Sequence, residues 1–145
     1  MKIAWDKKNE IGINFIDVQH ERFFDIVNRL MRLSQAKKVD EEKIMMAVYQ
    51  LAGYANYHFA TEEYYFNKYR YPGAAKQVKA HERYSSKVMR LMKKMNGDEV
   101  DFRALAEEAA DFSVRWLTRH LLTEDRRFAE WLKKMKGPAA LKKLS

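Results

Sequence analysis

Tyr54-Ala55-Asn56-Tyr57-His58-Phe59-Ala60-Thr61-Glu62-Glu63 puts an imidazole and a carboxylate where a helix should bury hydrocarbon. His58 and Glu62 are four residues apart, so on a helix they stack on one face. The apolar stripe around them runs Ile44, Val48, Leu51, Ala55, then Tyr65 and Tyr69, in steps of three and four. His58 and Glu62 fill the gap between Ala55 and Tyr65. An uncompensated carboxylate in an apolar core costs several kcal/mol, so something must neutralise Glu62.

The chain around this stretch is 145 residues long, a length that fits one domain with a real core. Hydrophobic content of 47% excludes a disordered chain, and only five Gly and two Pro point to an all-helical protein. With no cysteine, disulfides, thiolate metal sites and Cys nucleophiles are excluded. No apolar run approaches membrane-spanning length, and Met1 to Lys8 contains no signal-type apolar core, so the expectation is a cytoplasmic protein. The net charge of +8 is interleaved with 20 acids, which argues against nucleic acid as a partner. The nearest thing to a basic patch is Lys133, Lys134, Lys136, Lys142 and Lys143, a surface for weak contact with anionic partners.

Periodicity and punctuation divide the chain into an extended N-terminal arm over 1–16, a four-helix bundle over 17–135 and a basic tail over 136–145. Trp5, Ile11, Ile13, Phe15 and Ile16 anchor the arm, and Asp17 is the expected N-cap of a first helix over about 18–36. Asp40 caps a second helix over about 41–70, stopped by Tyr71-Pro72-Gly73. A third helix covers about 74–95, and a fourth runs unbroken over about 101–135 to Gly137-Pro138. Four amphipathic helices with short links predict an up-down-up-down antiparallel bundle.

Each helix carries one histidine on its inward stripe: His20, His58, His81 and His120. A lone inward histidine is usually a satisfied core residue, but four of them joined by Glu62 and Asp125 are a ligand set. Helix-borne His and carboxylate converging inside a bundle is how such proteins build two-metal sites. Nitrogen and oxygen donors favour iron, and less strongly zinc, manganese or copper.

The sequence resembles the hemerythrins, in particular the bacterial single-domain kind. The likeness rests on Trp5, on Gly12 with Ile16-Asp17-Val18-Gln19-His20, and on Asn28-Arg29-Leu30. It continues through His58-Phe59-Ala60-Thr61-Glu62-Glu63, Tyr71-Pro72, His81 and Trp116-Leu117-Thr118-Arg119-His120-Leu121-Leu122-Thr123-Glu124-Asp125. This resemblance implies a non-haem di-iron centre, oxo- or hydroxo-bridged, that binds O2 reversibly in a monomer. By position, His20 and His58 would hold one iron, His81 and His120 the other, with Glu62 and Asp125 bridging. Phe23, Phe59, Trp116, Leu117 and Leu121 would surround the O2 pocket.

One position departs from the family. A further histidine is expected one turn before His81, and this chain has Gln77 there. The amide oxygen is the weaker donor to iron, and Gln77 is expected to bind the His81/His120 iron, directly or through a water. The first functional expectation is therefore an O2-binding protein for storage, delivery or sensing, not an enzyme. The alternative is a di-iron oxidase or peroxidase-like enzyme made reactive by the lost imidazole.

Overall fold

Asp40 and Asp101 each accept a hydrogen bond from the backbone N–H three residues on, and each starts a helix. The computed structural model describes residues 4–142 and Leu144. Among them there is no strand. The long helices are α1 (Asn14–Gln35), α2 (Glu41–Lys68), α3 (Ala74–Met95) and α4 (Phe102–His120). A π-helical turn, Leu121–Asp125, joins α4 to α5 (Arg126–Lys136), and a short α6 (Pro138–Lys142) follows.

Each long helix buries most of the stripe expected of it, except that near the end of α2 it is Phe66 that is buried while Tyr65 and Tyr69 are half-buried. Phe23, Val27 and Leu30 on α1 meet Ile44, Val48 and Leu51 on α2, Val88 and Leu91 on α3, and Leu105 and Ala109 on α4 in one core. α1 packs on α2 and α4, and α3 packs on the same two helices. Arg103 of α4 ties down the link after α1, donating to the carbonyl of Ser34 and, at 2.7 Å, to that of Ala36. No helix among the described residues is long and apolar enough to cross a membrane.

Four local expectations are corrected. α1 begins at Asn14, so Phe15 and Ile16 belong to its first turn, and Asp17 does not cap it. Instead the Asp17 carboxylate reaches back, accepting from the N–H of Ile11 at 2.8 Å and of Gly12 at 3.1 Å. That reversal needs Gly12 at φ +92°, which a side chain would strain. α2 stops at Lys68, and Arg70 turns left-handed at φ +53°. The Tyr71 N–H then bonds to the Phe66 carbonyl and the Arg70 N–H to that of Asn67, the paired bonds of a Schellman closure.

The fourth helix is not continuous, because the π-helical turn interrupts it at Leu121. Lastly, the residues after Gly137 are not a plain tail: Pro138–Lys142 is helical, with Leu141 against Gly12 and Leu144 buried. Met1–Ile3, Lys143 and Ser145 lie outside the described residues.

Candidate metal centre

Six ligand-type side chains meet in the middle of the four long helices: His20 from α1, His58 and Glu62 from α2, His81 from α3, His120 from α4, and Asp125 from the π-helical turn. All six are buried. They form two sets, His20/His58/Glu62/Asp125 and Glu62/His81/His120/Asp125, and within each set the donor atoms lie within 4.8 Å of one another. Both carboxylates belong to both sets.

The individual approaches show how the sharing works. Glu62 Oε1 is 3.2 Å from His58 Nε2 and 3.2 Å from His81 Nε2, and its other oxygen is 3.9 Å from His20 Nε2. Asp125 puts Oδ2 3.1 Å from His20 Nε2 and Oδ1 3.2 Å from His120 Nε2. Yet His20 Nε2, His81 Nε2, His120 Nε2 and Glu62 Oε1 have no aligned hydrogen bond among the described residues. Buried polar atoms are rarely left so. Donor atoms that crowd together without pairing are aimed at something between them, and a cation with nitrogen and oxygen ligands fits that arrangement.

Two of the imidazoles are fixed through their outer nitrogens, whereas His20 Nδ1 has no partner among the described residues. His58 Nδ1 donates to Gln19 Oε1 at 2.7 Å, and His81 Nδ1 donates to Glu63 Oε2 at 2.8 Å. Amide and carboxylate oxygens only accept, so each ring carries its proton on Nδ1 and turns Nε2 to the cluster. Gln19 is in turn held through Nε2 by Thr61 Oγ1 at 3.3 Å. Sequence reasoning gave Gln19 and Glu63 no role. Their signal was adjacency, since each polar residue directly follows or precedes a ligand-type one yet must point elsewhere.

The carboxylates and imidazoles of the cluster shift one another's titration. Burial works against ionisation of Asp125, but the His120 and His20 imidazoles outweigh it and hold its carboxyl well below the usual value. Glu62 is lowered as well: burial and Asp125 oppose this, and His58 and His81 prevail. Burial favours neutral His20 and His81, yet Asp125 beside the first and Glu62 beside the second raise both. At His58 burial wins and the pKa is lowered.

The remaining expected residues fall around this cluster. Gln77 is fully buried on α3, its Nε2 donating to Asp125 Oδ1 at 3.0 Å while Oε1 has no partner among the described residues. Phe59 stacks on His81 with centroids 4.0 Å apart, and Trp116 stacks on His120 at 4.3 Å. Phe23 meets His58 edge-on at 6.1 Å. Leu117 and Leu121 are buried, and Trp116 is half-buried.

A bundle of helices that collects four imidazoles and two shared carboxylates in its core defines a buried metal-binding protein. The family model described as "Hemerythrin HHE cation binding domain" matches residues 11–132, and the chain belongs to the hemerythrin family. It is 30% identical to a bacteriohemerythrin of Clostridium acetobutylicum over 88% of this chain and 98% of that protein. A bacteriohemerythrin of Stenotrophomonas maltophilia is 25% identical over 90% of this chain and 82% of its own. One from Pseudomonas aeruginosa is 26% identical, covering 85% and 76% respectively.

Proposed function

We propose that this chain is a di-iron protein that binds O2 reversibly, for storage, delivery or sensing. The observation that carries the reading is the sharing of Glu62 and Asp125 between two histidine-bearing sets. Carboxylates shared between two ligand sets suit two cations side by side, and a single-ion site has no use for the sharing. In this reading His20 and His58 hold one iron, His81 and His120 the other, and Gln77 lies at the second through its amide oxygen. The four long helices alternate up and down around that centre in a single cytoplasmic domain.

Bound iron would supply the electrons that O2 binding requires. The chain's own residues do the rest. Gln19 and Glu63 hold the His58 and His81 rings in one orientation through Nδ1. Phe59 and Trp116 cover the imidazole faces, and buried Leu117 and Leu121 keep water and protons away. A second reading, a di-iron oxidase or peroxidase-like enzyme, draws on Gln77, where an imidazole is replaced by a weaker donor.

The test is anaerobic iron loading followed by O2 titration. The expected result is two irons per chain and an optical change that reverses when O2 is removed. One metal per chain, or irreversible oxidation at the first exposure, would overturn the carrier reading.

A further inference from the structure

Five cationic side chains meet at one concave place. Lys76, Arg83 and Lys87 from α3, with Arg115 and Arg119 from α4, line a pocket of about 480 Å3 between those helices. The α3–α4 seam is the most sparsely packed of the four between neighbouring long helices. Glu124 is the one acidic side chain in the described lining, and it is already engaged by Lys76 at 3.2 Å and Arg127 at 3.3 Å. Arg83, Arg115 and Arg119 have no side-chain partner among the described residues.

Below the cations the pocket is aromatic. Tyr84, Phe112 and Trp116 line it, and Lys87 Nζ stands 4.7 Å from the Phe112 ring centroid. The buried His120 also contributes to the lining, under the Trp116 ring stacked on it. A merely solvated helix face explains lysines and arginines on a convex surface. It does not by itself account for three exposed guanidiniums without a side-chain partner lining one cleft together with Trp116.

We propose that this cleft binds a planar aromatic ring bearing a phosphate, with flavin mononucleotide as the representative of the class. The ring would lie against half-buried Trp116, with the buried Tyr84 and Phe112 beneath as a rigid floor, and the phosphate would be taken by the unpaired guanidiniums, whose fork of donors suits it. The volume is in the range that holds ligands of this size. Concavity and an aromatic floor favour a small molecule over an acidic protein surface. A ligand seated there would touch Trp116, one stacked ring from His120. The inference does not depend on which metal the cluster holds, or on whether O2 is its ligand.

The experiment titrates the full-length protein, with and without metal, against flavin mononucleotide, riboflavin and inorganic phosphate, read by calorimetry and flavin fluorescence. Flavin mononucleotide is expected to saturate at one per chain, with riboflavin and phosphate each bound at least about tenfold more weakly. Arg83→Glu and Arg119→Glu should each weaken it about tenfold or more, with unchanged melting temperature and metal content. Lys133→Glu, a charge change outside the pocket, should leave it unaltered. Equal binding of flavin mononucleotide and phosphate, or equal loss in Lys133→Glu, would reduce the site to general charge attraction and overturn the proposal. No saturable binding would overturn it outright.

Discussion

Asp125 Oδ1 lies 3.2 Å from His120 Nε2, although the two residues are five apart in sequence. On a regular α-helix five residues carry a side chain about 140° around the axis, away from its starting face. The π-helical turn Leu121–Asp125 lies between them and, by winding more residues into each turn, brings the carboxylate back beneath the imidazole. Such one-turn π segments occur disproportionately at functional sites, and here the segment delivers a carboxylate that both histidine sets share.

Glu62 touches three of the four imidazoles, so Glu62→Ala should be costly even without metal. It would leave protonated imidazole without its acceptor. We expect a loss of about 3–5 kcal/mol in metal-free denaturation, together with loss of metal binding. A variant as stable as the parent would mean that Glu62 is a stray core acid.

The pH dependence of the metal-free protein has a definite sign. His20 and His81 are raised above 6.5, so their contribution is complete below pH 6.5 and is lost as pH climbs through the raised values. His58, lowered, acts on the other side of that value: its contribution is complete above pH 6.5 and is lost as pH falls from 6.5 through the lowered value. Asp125 and Glu62 are lowered from 3.8 and 4.5, so their contribution is complete above those values and is lost on acidification through the depressed ones. The melting temperature should therefore be highest near pH 6.5 and fall on either side. Metal affinity should instead keep rising with pH above 6.5, because metal displaces protons from imidazole. A melting temperature that also rises above that pH would contradict the charge assignment.

Glu63→Gln and Gln19→Leu test the outer partners. Each leaves the donor set intact but changes what holds a ring, and metal affinity should fall roughly 10–100-fold with little change in helical content. Competition against a chelator of known affinity measures this directly. No change in either variant would show that packing alone orients His58 and His81.

Gln77 invites restoration. Its Oε1 has no partner among the described residues, and its Nε2 is engaged with Asp125. If the amide is the weak ligand, Gln77→His should slow iron loss roughly tenfold and prolong the oxygenated state. Identical iron retention in the two proteins would leave Gln77 as a hydrogen-bond donor to Asp125 and no more.

Leu117 and Leu121 can be tested through the rate of spontaneous oxidation. A polar replacement such as Leu121→Asn should admit water and speed conversion to the oxidised form, measured optically after oxygenation. An unchanged rate would place the oxygen site elsewhere.

Helix ends set by local chemistry were legible in the chain: the Asp40 cap, both ends of α3, and the stop at Gly137. So was the inward placement of the four histidines, Glu62 and Gln77, since 3.6-residue periodicity alone assigns a face, whereas Asp125 reaches the same face only through the π-helical turn. What escaped depends on partners distant in the chain or on nonstandard winding. Asp17 looks like a cap because its type is right, but whether it faces forward or back depends on how Ile11 and Ile13 are buried. The π-helical turn has no composition of its own. Gln19 and Glu63 acquire roles only once α1 and α3 are laid against α2.

The way the cluster is carried bears on how the protein is made. Small metal domains commonly fold only when the ion arrives, because the ion is most of what holds them together. Here the six groups ride on helices whose apolar stripes, from Phe23 and Val27 to Leu105 and Ala109, share one hydrocarbon core of their own. Packing supplies the framework, and the ion has a site to enter and not a chain to gather.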